Sequence, residues 1–387
     1  MLGIGLAVIT VAAVGIVAFL VWDLFARVGD GAVQLEDAPS MAAPELGEYP
    51  GAFAVMLIGT DECGPVSKKL LGERCEREDG ILNDVNLLVH VSAAPRKVTV
   101  VSFPRDLMVE QPECATPDGG TESARSKTQI NGIFARAGLS CVAKTVTVLS
   151  DVPIGFGAKL SFDGVMEITE AVGGVEVCIG EGGLHDRLTG LDWEPGPRTI
   201  KGYEALQFLR TRKGVGDGSD LARISNQQQY MSRLARKVLS SETLSDVPTV
   251  LRLANTIADN VEPSDTLADP VRMGQLALAL KDVPFEDFVF VQYPTLEDPD
   301  DSDRVVPNLD AAEPMWAALA AGRSLEITGE ASNHGGAVGG ADAPTPASSA
   351  SPTGSPPGSP TPTDRETLSP SISGIDLNQE TCTGARR

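Results

Sequence analysis

FAVMLIG, residues 53–59, is the first of three short apolar runs that decide the fold class of this chain. The second is VNLLVHVS at 85–92, and the third is KVTVVSF at 97–103. Apolar residues fill these runs almost continuously instead of alternating with polar ones, which is typical of strands covered on both faces. The three runs therefore predict a buried sheet.

Segments with the apolar spacing of helices follow these strands. The predicted helices cover residues 130–138, 141–150, 162–172, 221–239, 248–260 and 268–280. Two further strand candidates lie at 175–179 and 288–293, and residues 202–209 form either a helix or a helix that leads into a strand. Helices interleaved with strands predict a layered α/β domain.

The chain begins with 22 residues, Met1 to Trp22, that carry no charged side chain. At about 1.5 Å per residue, a helix of this length crosses the hydrocarbon core of a bilayer. A signal peptide is the alternative, but the run is longer than a typical signal core and lacks a convincing cleavage site. We predict a single-pass membrane anchor at 1–22, a polar linker at 23–50, and an extracytoplasmic remainder.

The composition changes near residue 328, where Gly, Ala, Ser, Thr and Pro become dominant. The stretch SASPTGSPPGSPTPT at 349–363 has too few apolar side chains to offset the chain entropy lost on folding. The sequence therefore predicts a disordered tail over 328–387.

Six cysteines indicate the compartment. None has the CxxC or Cys/His spacing of a zinc site, and the chain has only three histidines. An even number of cysteines behind a membrane span predicts disulfides in an oxidising environment, although buried free thiols are the alternative. The predicted pairs are Cys63–Cys75, Cys114–Cys141 and, by elimination, Cys178–Cys382.

The formal net charge of −22 argues against nonspecific binding to nucleic acid, so no nucleic-acid partner is predicted. An anionic ligand would need a local basic site. The stretch ALQFLRTRKGVGDGSDLARISNQQ at 205–228 offers one, with Arg210 and Arg212 two residues apart and Arg223 in the first turns of a helix. At the end of a strand, the first two would point the same way. Three guanidinium groups can clamp a dianion, whereas the alternative is a solvated charged loop.

Acidic residues flank the first two strands. Asp61 follows the first strand and Asp84 immediately precedes the second. If these strands are neighbours, the two carboxylates can meet and bind Mg²⁺ or Mn²⁺ together with water and phosphate oxygens. The alternative is one Asp in a turn and one capping a backbone N–H.

Polar side chains also follow the third strand. Arg105 and Asp106 lie at its C-terminal end, where open α/β sheets bind ligands, so Arg105 could join the clamp with Asp106 orienting it. The alternative is a surface salt bridge. Lys127, Gln129 and Asn131 lead into the next helix and are either polar ligands or the entry to that helix.

Several segments in this order resemble the LytR-CpsA-Psr family of membrane-anchored cell-wall glycopolymer ligases. They are LIGTD (57–61), NDVNLLVHV (83–91), VSFPRD (101–106), QINGIFARAG (129–138), FDGVMEITEAVGGVEV (162–177) and the arginine segment that begins at Gly202. The resemblance implies a three-layer α/β/α domain around a central mixed sheet, over residues 51–327. It also implies a polyprenyl-pyrophosphate-linked glycan as substrate, with the lipid in an apolar tunnel and Mg²⁺ at the pyrophosphate.

By matching position, the resemblance assigns roles to individual residues. Asp61 and Asp84 resemble the metal ligands. The pyrophosphate-binding arginines correspond to Arg105, Arg210, Arg212 and Arg223. Gln227 resembles the glutamine that completes the clamp, and Asp220 the acid that orients it.

Two positions depart from the family pattern. Asn226 stands where the family commonly has an arginine, and Gln129 stands where it often has a lysine. Lys127 could supply the missing ammonium from two residues upstream. These departures concern substrate preference and pyrophosphate affinity, so we count Asn226, Gln129 and Lys127 among the predicted substrate-binding residues.

The predicted reaction is phosphoryl transfer, which depends on positioning and charge neutralisation. A hydroxyl of the acceptor, predicted to be peptidoglycan, attacks the sugar-linked phosphorus and polyprenyl phosphate leaves. The clamp (Arg105, Arg210, Arg212) stabilises the developing charge, and Asp84 or Asp106 takes the proton. The alternatives are hydrolysis of the same pyrophosphate by water, and a non-catalytic surface protein that only binds lipid-linked glycan.

Overall fold

A computed structural model describes residues 27, 29, 31–75, 80–339 and 365–386. The predicted membrane span at 1–22 lies outside these residues. Among the residues described, the stretch Ile130–Ser150 has the length and apolar composition of a membrane span, but half of it is buried inside the protein, as in a core helix.

The strands are short, with the longest in the first half of the chain. They are β1 (Phe53–Thr60), β2 (Asn83–Val91), β3 (Val98–Phe103), β4 (Met108–Gln111), β5 (Cys114–Ala115), β6 (Thr121–Glu122), β7 (Arg125–Gln129), β8 (Phe156–Leu160), β9 (Val175–Ile179), β10 (Leu184–Asp186), β11 (Leu191–Trp193), β12 (Gly196–Ile200), β13 (Val261–Pro263), β14 (Phe288–Gln292), β15 (Thr295–Asp298), β16 (Asp301–Pro307), β17 (Ser324–Glu326), β18 (Ala337–Gly339), β19 (Arg365–Thr367), β20 (Gly374–Asp376) and β21 (Thr381–Thr383).

The helices connect and cover these strands. They are α1 (Pro65–Leu71), α2 (Ile133–Ser150), α3 (Phe162–Ala171), α4 (Gly202–Arg210), α5 (Asp220–Leu239), α6 (Ser241–Ser245), α7 (Val247–Asn260), α8 (Asp265–Ala268), α9 (Pro270–Leu280) and α10 (Leu309–Ala320).

A seven-stranded sheet in the order β13-β8-β1-β2-β3-β14-β20 forms the centre of the fold. The three strands predicted from the apolar runs are adjacent and antiparallel, whereas β8 and β14 join them in parallel. The sheet is therefore mixed, as predicted. Strand β8 was not predicted, because its residues FGAKL include two small ones and a lysine.

Hydrophobic clusters lie on both faces of this sheet. On one face, Met56 and Leu88 pack with residues of α2 and α10. On the other face, Leu87 and Val100 pack with residues of α9 and α5. Helices on both faces explain why the strands are apolar almost throughout.

A smaller sheet in the order β12-β9-β21-β18 lies beside α4 and α5. Its strand β9 contributes Val175, Val177 and Ile179 to a third cluster, which also contains Phe208 and Tyr230. The small sheet thus supports the two helices that carry the predicted arginines.

One expectation about individual elements is confirmed, and two need correction. Residues 130–150 form a 3₁₀ turn and two helical segments that meet at a kink at Gly138, with φ of 71° and ψ of −172°, so the two predicted helices are present. Residues 202–210 are a helix, so Arg210 and Arg212 do not lie at a strand end. The described part of the linker is packed on the domain, where Leu35 is buried and Val33 pairs with Ser264.

The prediction of disorder over 328–387 is wrong for the described residues of that range. Strand β20 forms the edge of the central sheet, and β21 joins the smaller sheet. Leu368, Ile372 and Ile375 are buried, so this segment contains the apolar area that the neighbouring 349–363 stretch lacks. The residues 340–364 lie outside the described part of the chain.

The three predicted disulfides are present. They join Cys63 to Cys75, Cys114 to Cys141 and Cys178 to Cys382, and the structure has no free cysteine among its described residues. The second closes 27 residues of chain, which corresponds to about 3–4 kcal/mol of stabilisation in the chain-entropy model. The third ties the C-terminal segment to β9.

Candidate functional site

The end of α4 and the start of α5 bring together part of the predicted arginine clamp. Arg210 is the last residue of α4, and its guanidinium carbon lies 4.9 Å from the centre of the Phe162 ring. Arg212 lies in the loop that follows, where its Nε donates to the Gly218 carbonyl at 3.1 Å. The two arginines therefore have different partners and do not form the parallel pair that a strand end would give.

A buried carboxylate, Asp186, organises the loop that carries Arg212. It accepts hydrogen bonds from the Thr211 hydroxyl at 2.7 Å and from the backbone N–H groups of Arg212 at 3.1 Å and Lys213 at 3.0 Å. Burial alone would raise the pKa of Asp186, but these donors outweigh burial and lower it. Asp186 was not predicted, because it lies 24 residues before Arg210 and in no recognised motif.

Arg105 is the centre of a cluster of charged groups. Its guanidinium lies 3.3 Å from Asp84, 3.6 Å from Asp106 and 3.2 Å from Asp220. Asp220 in turn lies 2.7 Å from Nη2 of Arg223. The structure thus joins residues from β2, from the loop after β3 and from the first turn of α5. Ser219 begins that helix by accepting the Ala222 N–H.

These ion pairs are close, but several lack hydrogen-bond geometry. Arg105 Nε, Arg223 Nε and Nη2, and both carboxylate oxygens of Asp220 are buried without a hydrogen-bond partner among the described residues. Buried polar atoms without a hydrogen-bond partner destabilise the folded state. The arginine nitrogens could bind acceptor oxygens of a ligand, and the Asp220 oxygens could bind a positive charge, so the cluster is suited to a ligand that supplies both.

Two members of the cluster, Arg105 and Asp106, have raised pKa values. Burial tends to lower the pKa of Arg105, but the carboxylates of Asp84, Asp220 and Asp106 raise it above its usual value, so this guanidinium stays charged. Burial raises the pKa of Asp106, and Asp220 raises it further, against the opposing effect of the neighbouring arginines.

Asp106 has a second set of partners. Its Oδ1 accepts from Gln129 Nε2 at 2.7 Å and from Nη1 of Arg304 at 2.9 Å. Arg304, on β16, was not predicted, because it follows an acidic stretch and no spacing relates it to the other arginines. Lys127 is engaged elsewhere, with Asp298 at 2.7 Å and Asp300 at 2.6 Å, so it does not replace a lysine at the position of Gln129. Asn131 is buried at the start of the helical stretch, consistent with the reading as helix entry.

The predicted metal ligands, Asp61 and Asp84, belong to two neighbouring strands: one follows its strand and the other lies within it. Asp61 follows β1 and accepts the Leu82 N–H with Oδ1 at 2.7 Å, while Asp84 lies on the adjacent β2. No group of three or more His, Cys, Asp or Glu side chains that could hold a metal occurs within the described part of the chain. Because Mg²⁺ usually keeps several waters and takes only one or two protein carboxylates, a magnesium site at Asp61 and Asp84 stays a prediction.

Gln227 and Asn226 differ in their surroundings. Gln227 donates to the Leu209 carbonyl at 2.8 Å and lines a cavity. Asn226 is fully buried, with Nδ2 donating to the Phe208 carbonyl at 3.3 Å and Oδ1 accepting from the Thr383 hydroxyl at 2.9 Å. Asn226 is thus bonded to protein groups at both ends of its amide and is not among the side chains that line this cavity, while its predicted contact with substrate stays a prediction.

That cavity, of about 310 Å³, lies between the central sheet and helices α3, α4, α5 and α7. Most of its wall is apolar, with Leu57, Val165 and Ile257 among the lining side chains. Four polar residues that the sequence analysis had selected also line it: Asp84, Arg210, Arg223 and Gln227. The cavity can hold an apolar chain with an anionic end group, and Arg212 does not line it.

The sequence of this chain is similar to a family of known proteins. The LytR_cpsA_psr family model matches residues 31–309. The cell wall biosynthesis protein LcpA of Corynebacterium glutamicum is 27% identical over 232 residues, which are 54% of this chain and 44% of LcpA. The chain thus spans about half the length of this relative.

A second relative and a solved structure extend the comparison. The polyisoprenyl-teichoic acid–peptidoglycan teichoic acid transferase TagU of Enterococcus faecalis is 26% identical over 255 residues, 66% of this chain and 75% of TagU. The crystal structure of TagV from B. subtilis superposes with a TM-score of 0.53 at 20% identity, covering 71% of this chain and 98% of TagV. At that identity, the structural match shows a common fold.

Proposed function

The chain belongs to the LytR-CpsA-Psr family, and on that basis we propose that it is a membrane-anchored, extracytoplasmic phosphotransferase. It would move a glycopolymer phosphate from a polyprenyl-pyrophosphate carrier to a cell-wall acceptor, which we take to be peptidoglycan. The names of its relatives support this reading, because TagU is called a teichoic acid transferase that acts on peptidoglycan.

The observation that carries the proposal is the largely apolar cavity whose lining also includes Arg210, Arg223, Gln227 and Asp84. Its apolar wall suits an isoprenoid chain, since burial of apolar surface stabilises by about 25 cal/mol per Å². Arg210 and Arg223 both line this cavity, so a pyrophosphate at the head of the chain would meet two guanidinium groups.

The charges around these residues support a divalent cation as the cofactor. Three carboxylates, those of Asp84, Asp106 and Asp220, pair with the guanidinium groups of Arg105, Arg223 and Arg304 and offset positive charge that would otherwise attract an anionic substrate. Asp61 and Asp84 would hold Mg²⁺ or Mn²⁺. When bound, the ion would supply positive charge at the pyrophosphate oxygens and lower the barrier to phosphoryl transfer.

The residues of the chain then have distinct tasks. Arg210 and Arg223 would bind the pyrophosphate oxygens, and Gln227 would help to position them. Arg105 would stabilise the charge that develops on the leaving polyprenyl phosphate. Asp220 orients the guanidinium groups of Arg105 and Arg223, which it contacts at 3.2 and 2.7 Å.

The reaction would be a single displacement at phosphorus. A hydroxyl oxygen of the acceptor sugar attacks the sugar-linked phosphorus, the bond to the bridging oxygen breaks, and polyprenyl phosphate leaves with that oxygen. We assign the hydroxyl proton to Asp84, which lines the cavity. Asp106 would serve to hold Arg105 and Arg304 in place, because its carboxylate already binds Gln129 and Arg304.

The proposal is tested with the full-length chain in proteoliposomes, a synthetic polyprenyl-pyrophosphate glycan, Mg²⁺ and peptidoglycan fragments. We expect polyprenyl phosphate and glycan-linked peptidoglycan as products, and loss of both in Asp84→Ala and Asp61→Ala. Asp192→Ala is the control, since that side chain is 88% exposed on β11. Release of polyprenyl phosphate at the same rate without an acceptor would identify a hydrolase instead, and binding without release would identify a non-catalytic protein.

A further inference from the structure

The residues after the family match form a segment that covers the arginine-bearing elements. We call residues 332–339 and 365–386 the C-terminal strap. The family match ends at residue 309, so the strap lies beyond it. Strands β18 and β21 of the strap extend the smaller sheet next to β9.

The strap binds the loop that carries Arg212. Val215 forms a β-bridge with Ala385, and the Gly216 N–H donates to the Gly384 carbonyl at 3.2 Å. From the other half of the strap, the carbonyl of His334 accepts the Asp217 N–H at 3.0 Å. The backbone of the loop that carries Arg212 is therefore hydrogen-bonded to both halves of the strap.

The strap also binds α5, through a buried polar network. The Thr383 hydroxyl lies 2.9 Å from Asn226 Oδ1 and 3.3 Å from Gln229 Oε1. The opposite end of the Asn226 amide donates to the Phe208 carbonyl, near the C-terminal end of α4. Asn226 thus connects α5, which carries Arg223, with the helix that ends at Arg210.

The orientation of the Asn226 amide depends on Thr383. An amide can present either its oxygen or its NH₂ group to a given neighbour, and the hydrogen-bond network decides between them. Thr383 is fully buried, so no water from bulk solvent can replace its hydroxyl. Cys178–Cys382 fixes the residue next to Thr383 to β9 and so holds the hydroxyl in place.

We propose that Thr383 is a positioning residue for the arginine cluster, acting through Asn226 and held by the Cys178–Cys382 disulfide. This inference rests on the proposed function, because it assumes that Arg210 and Arg223 bind the pyrophosphate. It also gives the Asn226 side chain a role, because this amide joins two helices and the strap.

Strand β21 offers a matched control. Thr381 is a buried threonine like Thr383, with 1% of its surface exposed. Its hydroxyl has no hydrogen-bond partner within the described part of the chain. Thr381→Val and Thr383→Val therefore make the same chemical change two residues apart. Only the second removes a donor from Asn226.

The experiment compares kcat, KM and thermal unfolding of full-length Thr383→Val, Thr383→Ser and Thr381→Val, with the polyprenyl-pyrophosphate glycan as substrate. Rates are measured well below each unfolding midpoint. We expect kcat of Thr383→Val to fall by roughly 10-fold with a much smaller change in KM, because catalysis is more sensitive to small displacements than binding. Thr383→Ser should restore most of kcat, and Thr381→Val should keep it.

A wild-type kcat in folded Thr383→Val would overturn the inference and leave the strap as a structural brace. If Thr383→Val does not fold, the double variant Cys178→Ser with Cys382→Ser gives the second measurement, because it opens this disulfide alone. Loss of the Cys178–Cys382 tether should lower kcat while the fold persists, and a wild-type kcat in this double variant would count against the inference. Full activity of Arg223→Ala would instead refute the proposed function itself.

Discussion

Arg223 is a buried guanidinium, 6% exposed, on the first turn of α5. It lies beside Asp220 and lines the apolar cavity, while its Nε and Nη2 have no hydrogen-bond partner among the described residues. A planar fork in this position can bind two oxygens at once, which an ammonium cannot do.

Replacing Arg223 by alanine should lower turnover of the lipid-linked substrate by about 100-fold, the size seen when a preorganised charge-stabilising group is removed. Arg223→Lys should recover little of that loss, because a point charge cannot take the place of a bidentate fork. Steady-state kinetics in proteoliposomes measure both. Arg187→Ala provides a comparison, since Arg187 is exposed and lies outside the cavity wall. Equal activity of Arg223→Lys and wild type would contradict the bidentate role.

Asn226→Arg tests whether this position lost a member of the clamp. The side chain is fully buried and bonded at both ends, to Phe208 and Thr383. A guanidinium there would be buried without an acidic partner, and we expect a loss of about 3–5 kcal/mol in the free energy of unfolding. Chemical denaturation measures this loss. A stable variant with tighter substrate binding would show instead that the position faces the ligand.

Helix α3 forms one wall of the cavity. Ser161 begins the helix by accepting the Gly164 N–H at 3.3 Å, and Asp163 in the first turn also holds the N-terminus of α1 through the Ser67 N–H at 2.8 Å. The opposite side of the helix turns Val165 and Ile168 towards the cavity. The position of this wall is thus set by polar caps at one end and apolar contacts along its length.

Val165→Phe should fill part of the cavity and shorten the space for the isoprenoid chain. Exclusion of two or three methylene groups, each contributing about 0.8 kcal/mol, should raise KM for a long-chain substrate by roughly 10-fold or more. Glu167→Phe, an exposed position on the same helix, should not change it. A short-chain pyrophosphate analogue should be turned over equally by wild type and Val165→Phe. Unchanged KM for the long chain would place the lipid elsewhere.

The pH dependence of stability for the whole molecule should reflect His90, which is 7% exposed on β2. Burial lowers the pKa of His90 from 6.5 to about 4. Between these values the unfolded chain binds a proton that the folded protein does not, so stability falls as the pH decreases, by about 3 kcal/mol in total.

His90→Leu should flatten this part of the stability curve, as measured by denaturant unfolding from pH 7 to pH 4. The ring of His185 is 54% exposed, so His185→Leu should keep most of the slope. The same slope in wild type and His90→Leu would mean that other groups cause the acid sensitivity.

The orientation of the molecule relative to the membrane is a further prediction. The uncharged run at 1–22 and the three disulfides both favour an extracytoplasmic domain. Protease added to intact, wall-stripped cells should digest the domain, while a cytoplasmic marker should stay protected. Complete protection of both would place the domain inside the cell.

The sequence by itself determined the strands β1, β2, β3 and β14 of the central sheet, most helices and the two disulfides that close local loops. Continuous apolar runs can be buried only between two layers, and cysteines that bracket polar loops pair locally, so these features need little tertiary information. Cys178–Cys382, with 204 positions between its cysteines, followed only by elimination. The sequence also identified Asp84, Arg105, Asp220 and Arg223, which the fold brings within contact of one another, because motif order preserved their places at strand and helix ends.

Only the tertiary structure decided the partners of the remaining residues. Arg304 and Asp186 lie in stretches without a recognisable pattern. The role of Arg304 depends on its contact with Asp106, 198 positions away, and the role of Asp186 depends on its contact with Thr211, 25 positions away. Composition likewise concealed the folded strap, since its few apolar side chains become buried only against β14 and β9, far away along the chain. Long-range pairing of this kind has no local signal, because its energy comes from surfaces that meet only after the rest of the domain has folded.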